Sequence, residues 1–121
     1  MRASLVLSVC FATLLLSGCS NTQTYTCAFS TSVGYCWEWT ATPPLTVTES
    51  NALAASCSAA TVGTGTYLIG GTCTTANRVG LCTIPYPSVG VTYQWSVYSP
   101  AYTATTGQTL CTAQGGTWTA G

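Results

Sequence analysis

Sulfur is the one reactive chemistry that this chain carries in quantity. Eight cysteines stand in 121 residues beside two arginines (Arg2, Arg78), two glutamates (Glu38, Glu49) and no His, Lys or Asp. Thiols at such density serve metal binding, redox exchange or disulfide bonding, and spacing separates the three. Zinc wants closely spaced Cys pairs or partnering His, and a redox couple wants Cys-x-x-Cys; neither pattern occurs. The expectation is therefore no metal, no cofactor, and a disulfide scaffold made in an oxidising compartment.

Acid-base and nucleophilic chemistry find little to work with. General acid-base catalysis most often uses His, and no His, Lys or Asp is present to activate one of the many Ser and Thr hydroxyls. A two-carboxylate mechanism would require Glu38 to meet Glu49. The inventory predicts a protein that is not an enzyme. A formal net charge of zero also excludes a polybasic nucleic-acid surface. Solubility then rests on hydroxyls and amides, and a neutral surface is prone to association.

The side chains left to recognise a ligand are aromatic. Tyr35, Trp37 and Trp39 alternate with Cys36, Glu38 and Thr40, and Tyr93 and Trp95 hold alternate positions of the run Val91 to Tyr98. Period two places each set on one face of a strand. There the rings are either a platform for stacking sugars or the core of a domain short of Val, Ile and Leu, because each ring buries a large area. Glu38 falls on the opposite side from the indoles, together with Cys36.

These residues are positioned by short elements. Pro43-Pro44 ends the first aromatic strand, since proline cannot donate to a ladder. Thr46 to Cys57 reads as a helix with Thr46 or Thr48 as N-cap, Glu49 in its first turn and capping-box spacing between Thr46 and Glu49. Leu53 and Cys57 share a face, which turns that thiol inward. Thr66 to Ile69 is a short strand, Val79 to Ile84 another, 85–90 a loop and Val91 to Tyr98 the longest strand, closed by Pro100. Thr103 to Cys111 is a weaker helix, because Gly107 costs about 1 kcal/mol relative to Ala.

Cys27-Ala-Phe-Ser-Thr-Ser-Val-Gly-Tyr-Cys36 returns as Cys73-Thr-Thr-Ala-Asn-Arg-Val-Gly-Leu-Cys82, and Gly65-Thr-Tyr-Leu-Ile-Gly70 is echoed by Gly116-Thr-Trp-Thr-Ala-Gly121. The matches divide the chain into two passes, 27–72 and 73–121, and predict repeats of that extent. Six cysteines permit fifteen pairings, and two sets that respect such a division are expected. One joins Cys36 to Cys57, Cys82 to Cys111 and Cys27 to Cys73. The other joins Cys27 to Cys36, Cys73 to Cys82 and Cys57 to Cys111.

The N-terminus is an export signal. Arg2 gives a minimal positive region, Ala3 to Leu16 an apolar run of 14 residues, and Ser17-Gly18 the small residues before a cleavage site. That run is short for a membrane span, which takes roughly 17 to 25 residues. Leu16-Ser17-Gly18-Cys19 resembles the lipobox of bacterial lipoproteins. The resemblance implies a signal peptide over 1–18, a diacylglyceryl group on the Cys19 thiol, and a stable membrane anchor. Ser20 after that cysteine, where Asp would retain such a protein at the inner membrane, implies the outer membrane. Cys10 then leaves with the signal and Cys19 is acylated, so Cys27, Cys36, Cys57, Cys73, Cys82 and Cys111 remain for three disulfides.

The sequence thus predicts a lipidated tether over 19–26 and a disulfide-stapled domain over 27–121. Its class is a small disulfide-rich α+β or mainly-β domain with two related strand-helix-strand passes. In composition and layout it is similar to small cysteine-rich lipoproteins of bacterial envelopes. Two functions follow from these readings. One is a lipid-anchored structural or interaction protein of the envelope with an envelope-protein partner. The other is a surface glycan-binding or adhesion module using exposed Trp and Tyr.

Overall fold

The computed structural model describes residues 21–86 and 89–121. The expected signal peptide, Cys10 and the expected acylation site Cys19 lie outside the described residues. Six strands and two helices follow in the order β1 (Gln23–Ala28), β2 (Tyr35–Ala41), α1 (Val47–Ser58), β3 (Thr66–Ile69), β4 (Arg78–Tyr86), β5 (Val91–Tyr98), α2 (Ala104–Ala113) and β6 (Thr117–Ala120). The strands form one sheet in the order β3-β1-β2-β5-β4-β6, antiparallel at every junction. This is a small mixed α+β domain, built of two passes that each run strand, strand, helix, strand.

Both helices begin as the sequence dictates. Thr46 caps α1: its Oγ1 accepts from the Glu49 amide at 3.3 Å, and the Glu49 carboxylate accepts from the Thr46 amide at 2.8 Å. Thr103 and Thr106 form the same reciprocal box at the start of α2, which satisfies amides that a first turn leaves orphaned. Cys57 and Cys111 turn inward and are fully buried.

The register shows how the passes correspond. Cys27 lies opposite Trp37 and Tyr67, and Cys82 lies opposite Trp95 and Trp118. Trp37 and Trp95 face each other across the central β2-β5 ladder, so a pseudo-twofold axis passes between them. A Cβ on Gly65 would strike the sulfurs of Cys27 and Cys57, and one on Gly116 those of Cys82 and Cys111. The glycine thus leaves room in each pass for the same disulfide.

Three bonds form: Cys27–Cys57, Cys36–Cys73 and Cys82–Cys111. Only Cys82–Cys111 matches the first expected set, and no bond matches the second. The reason is the pleat. Cys27 shares the Trp37 face, where α1 sits, whereas Cys36 alternates to the other side and cannot reach Cys57. The matching decapeptides are not the structural unit either: Cys27 corresponds to Cys82, while Cys73 sits in the connection between the passes. That connection crosses the face opposite the helices. Thr26 Oγ1 donates to the Gly70 carbonyl at 2.9 Å, the Cys73 amide to Glu38 at 3.0 Å, and the Tyr98 hydroxyl to the Thr74 carbonyl at 2.7 Å.

Two boundaries also move. The polar stretch expected as tether already belongs to β1 from Gln23 onward, and that strand is interior, paired on both sides. β4 runs on through Pro85 to Tyr86, where a loop was expected. Its neighbour β6 pairs only as far as Thr83, so the missing proline donor has no ladder to break on that side.

Candidate functional site

The helices leave the middle of the sheet open. α1 packs on β3 and is tied to β1 by Cys27–Cys57, while α2 packs on β4 and β6. Between them the central strands β2 and β5 form the floor of a groove. The pleat places Tyr35, Trp37 and Trp39 of β2 and Tyr93 and Trp95 of β5 on that floor, and all five are half-buried.

The rings are packed on one another. Trp37 meets Trp39 edge to face at 6.1 Å and Tyr93 at 6.5 Å, Trp39 stacks on Tyr93 at 5.5 Å, and Tyr35 tilts against Trp95 at 5.1 Å. Phe29 closes one side of Trp37 at 4.7 Å. Such contacts favour offset or edge geometry and add to the burial of the rings. The fully buried interior is small: the largest side chains in it are Val97 and the cysteines of the two helix-to-sheet disulfides. The platform and core readings therefore merge, because the rings hold each other while no layer among the described residues covers them.

Two hollows continue the groove. One of about 260 Å³ lies over Tyr35, Trp37, Tyr93 and Trp95, bordered by Val62 from the loop after α1 and by Gln114 at the end of α2. The other, about 400 Å³, lies beside Trp39 with Leu45, Leu53 and Val91. Tyr86 borders both. A third hollow of about 310 Å³ opens on the opposite face, next to Cys36 and Cys73. It is lined largely by turn and connection residues and offers few ring faces.

Among the described residues the groove carries one charged side chain, at the border of its larger hollow. This is Glu49, and its carboxylate is engaged by the Thr46 amide and hydroxyl, which hold it below the usual carboxylate range. Burial pushes the Tyr93 phenol well above the ordinary tyrosine value, with the neighbouring Tyr86 and Tyr35 phenols adding to it. Burial also raises Tyr35, reinforced by its hydrogen bond with the Tyr102 hydroxyl. The Tyr98 phenol, on the other face, is raised chiefly by burial, which Ser96 and Arg78 partly oppose. Among the described residues, Trp95 Nε1 is a buried donor without a partner, as is Arg78 Nε.

The two glutamates lie on opposite sides of the sheet. Glu38 is on the connection side, bonded to the Cys73 amide, and Glu49 is at the start of α1 on the groove side. The structure does not bring them together. Sequence reasoning named the five floor rings and missed the walls Tyr86, Val62 and Leu45, as well as Tyr102, which hydrogen-bonds to Tyr35. The period-two series Cys82, Ile84, Tyr86 was a usable signal for Tyr86, obscured by Pro85. Tyr102 and Leu45 both immediately precede a helix N-cap, a shared position visible only once both caps are fixed.

Fold and groove together define a small disulfide-stabilised domain with exposed aromatic clusters, as an interaction module requires. Comparison of the chain with known protein families, with curated proteins and with solved structures found no match.

Proposed function

We propose that this protein is a binding module for a neutral glycan, held at the bacterial envelope by lipid on Cys19 and acting without catalytic turnover. The observation that carries the reading is the uncovered centre of the sheet. Five aromatic side chains line one groove, and among the described residues no charged side chain borders the hollow over Tyr35, Trp37, Tyr93 and Trp95. Sugars present apolar C–H faces that stack on aromatic rings and hydroxyls that hydrogen-bond to neutral amides and phenols, here Gln114 and Tyr93. A ligand without charge fits the hollow over Tyr35, Trp37, Tyr93 and Trp95, whose described lining carries none.

The test is titration of the protein with soluble neutral glycans while Trp emission is followed. A saturable change that persists at high salt, with affinity falling about 5- to 10-fold in Trp37→Ala, is the expected result. No response across a broad glycan panel overturns the glycan reading and directs the groove to a protein partner. The anchor is tested separately, by metabolic labelling with a fatty acid and its loss in Cys19→Ala.

A further inference from the structure

The point where the chain enters the domain is not surrounded by average surface. Thr22 touches Thr42 hydroxyl to hydroxyl at 2.7 Å. Gln23 then pairs with Ala41, Ala41 with Val91, and Val91 with Tyr86, while the Thr42 amide donates to the Gly90 carbonyl at 3.0 Å. The entry, the connection from β2 to α1 and the turn from β4 to β5 therefore share one end of the sheet. Three exposed large apolar side chains gather there, Val47 at 78 %, Val89 at 66 % and Tyr86 at 48 %, whereas Leu68 and Ile69 are exposed on the edge strand β3. Pro43 and Pro44 are exposed beside them.

The other end of the sheet has the same architecture and lacks this patch. Its β1-β2 turn is Ser30, Thr31 and Ser32, and α2 opens with Ala104 where α1 opens with Val47. The cluster of Val47, Tyr86 and Val89 thus belongs to the end where the chain enters and has no counterpart in the matching turn and helix start of the other end. Of the charged side chains among the described residues, Glu49 belongs to this end, and its carboxylate is taken up by the helix cap.

Only three chain steps separate Cys19 from Thr22. Fully extended they reach roughly 10 Å, at about 3.3–3.6 Å per residue, which is comparable with the depth of a lipid headgroup layer. We propose that Val47, Tyr86 and Val89 form a bilayer-docking face, seated in the headgroup-acyl boundary of the membrane that holds the N-terminal segment. This rests on the anchored reading of Cys19. The occupant is the lipid surface because the tether is too short to hold this end clear of it. With so little charge, docking owes nothing to anionic lipid. The strands then run outward from the membrane, and the Tyr35 end of the groove points away from it.

The test uses the full, acylated chain in vesicles carrying lipids brominated in the upper acyl chain. Tyr86→Trp places a reporter on the face and Val62→Trp places one in the loop after α1, away from the face. With insertion of about 5–10 Å, the added emission of Tyr86→Trp falls by about half, in neutral and anionic vesicles alike, and that of Val62→Trp is unchanged. Adding Val47→Ser and Val89→Ser to Tyr86→Trp abolishes the quenching while the chain stays vesicle-bound. Equal emission from both reporters in a chain that resists a carbonate wash overturns the docking face and leaves the anchor standing. A chain that washes off, yet shows Tyr86→Trp quenched when vesicles are added back, overturns the anchor and keeps the face. Crosslinking of two chains through this end with no quenching assigns the face to a second copy and also overturns the proposal.

Discussion

The two passes solve one packing problem with opposite distributions of volume. In the first, Tyr25 stacks over Tyr67 at 6.5 Å, and the Tyr67 hydroxyl meets Ser50 of α1 at 2.8 Å. In the second, the corresponding positions are Gly80, Trp118 and Gly107. The larger indole fills the space by lying against both glycines, and a Cβ on Gly107 would fall 2.5 Å from its Cη2. The sheet register, the helix cap and the disulfide agree between passes, while the aromatic mass has moved from two strands onto one. Topology and covalent bonds are thus the common part, and side-chain volume only has to sum correctly.

The largest expected effect tests the common part. Cys27–Cys57 and Cys82–Cys111 close loops of 30 and 29 residues, so chain entropy assigns each about 3.6 kcal/mol. Replacing either pair by Ala should shift denaturant curves by that amount, and clearly unequal losses would show that the passes do not share the load. Next comes the divided volume. Gly80→Ala drives a methyl into the rigid Trp118 ring and should cost about 1–3 kcal/mol; the same glycine substitution combined with Trp118→Tyr should cost less than the sum of the two changes. Additive losses would mean that the ring and the glycine are not coupled.

A smaller effect separates the polar contact of the first pass from the apolar one of the second. Tyr67→Phe leaves the buried Ser50 hydroxyl without its partner, at about 1 kcal/mol, a loss with no counterpart around Trp118. The smallest effect is in pH. Glu49 is depressed when folded, so its contribution is present above the ordinary value and is lost as pH falls through the folded one. The Thr106 hydroxyl of the second box does not titrate, and acid should fray α1 before α2 in amide exchange. At the alkaline side Tyr35 and Tyr93 are raised when folded. Their contribution is present below about 10, the ordinary tyrosine value, and is lost as pH rises beyond it.

The same comparison explains what the sequence made legible. Elements fixed by local chemistry were readable: the capped helix from Thr46, the alternating ring strand at Tyr35 to Thr40, the glycine-bounded strand at Thr66 to Ile69. β1 was not, because Tyr25-Thr-Cys27 is too brief a pattern to stand without the two strands that flank it. The groove was half legible. Period two put the rings on strand faces, but only the non-local β2-β5 register sets Trp37 opposite Trp95. Disulfide pairing failed for a reason already present in the chain, since Cys36 lies on the Glu38 side of its strand and the thiols of the helices lie on the other.

The crossing from β3 to β4 has a further consequence for a protease. Cys36–Cys73 is the most accessible of the three disulfides, with its cysteines 6 % and 8 % exposed while those of the other two are fully buried. A nick between Gly71 and Thr72 yields two fragments that stay linked through this bond and separate only on reduction. A nick two or three residues later, after Cys73, leaves both of its sulfurs on the N-terminal fragment, and noncovalent contacts, the β2-β5 ladder and the ring packing across it, then hold the fragments together. A shift of a few residues in the cut decides whether the product behaves as one covalent molecule or as a reversible complex of two.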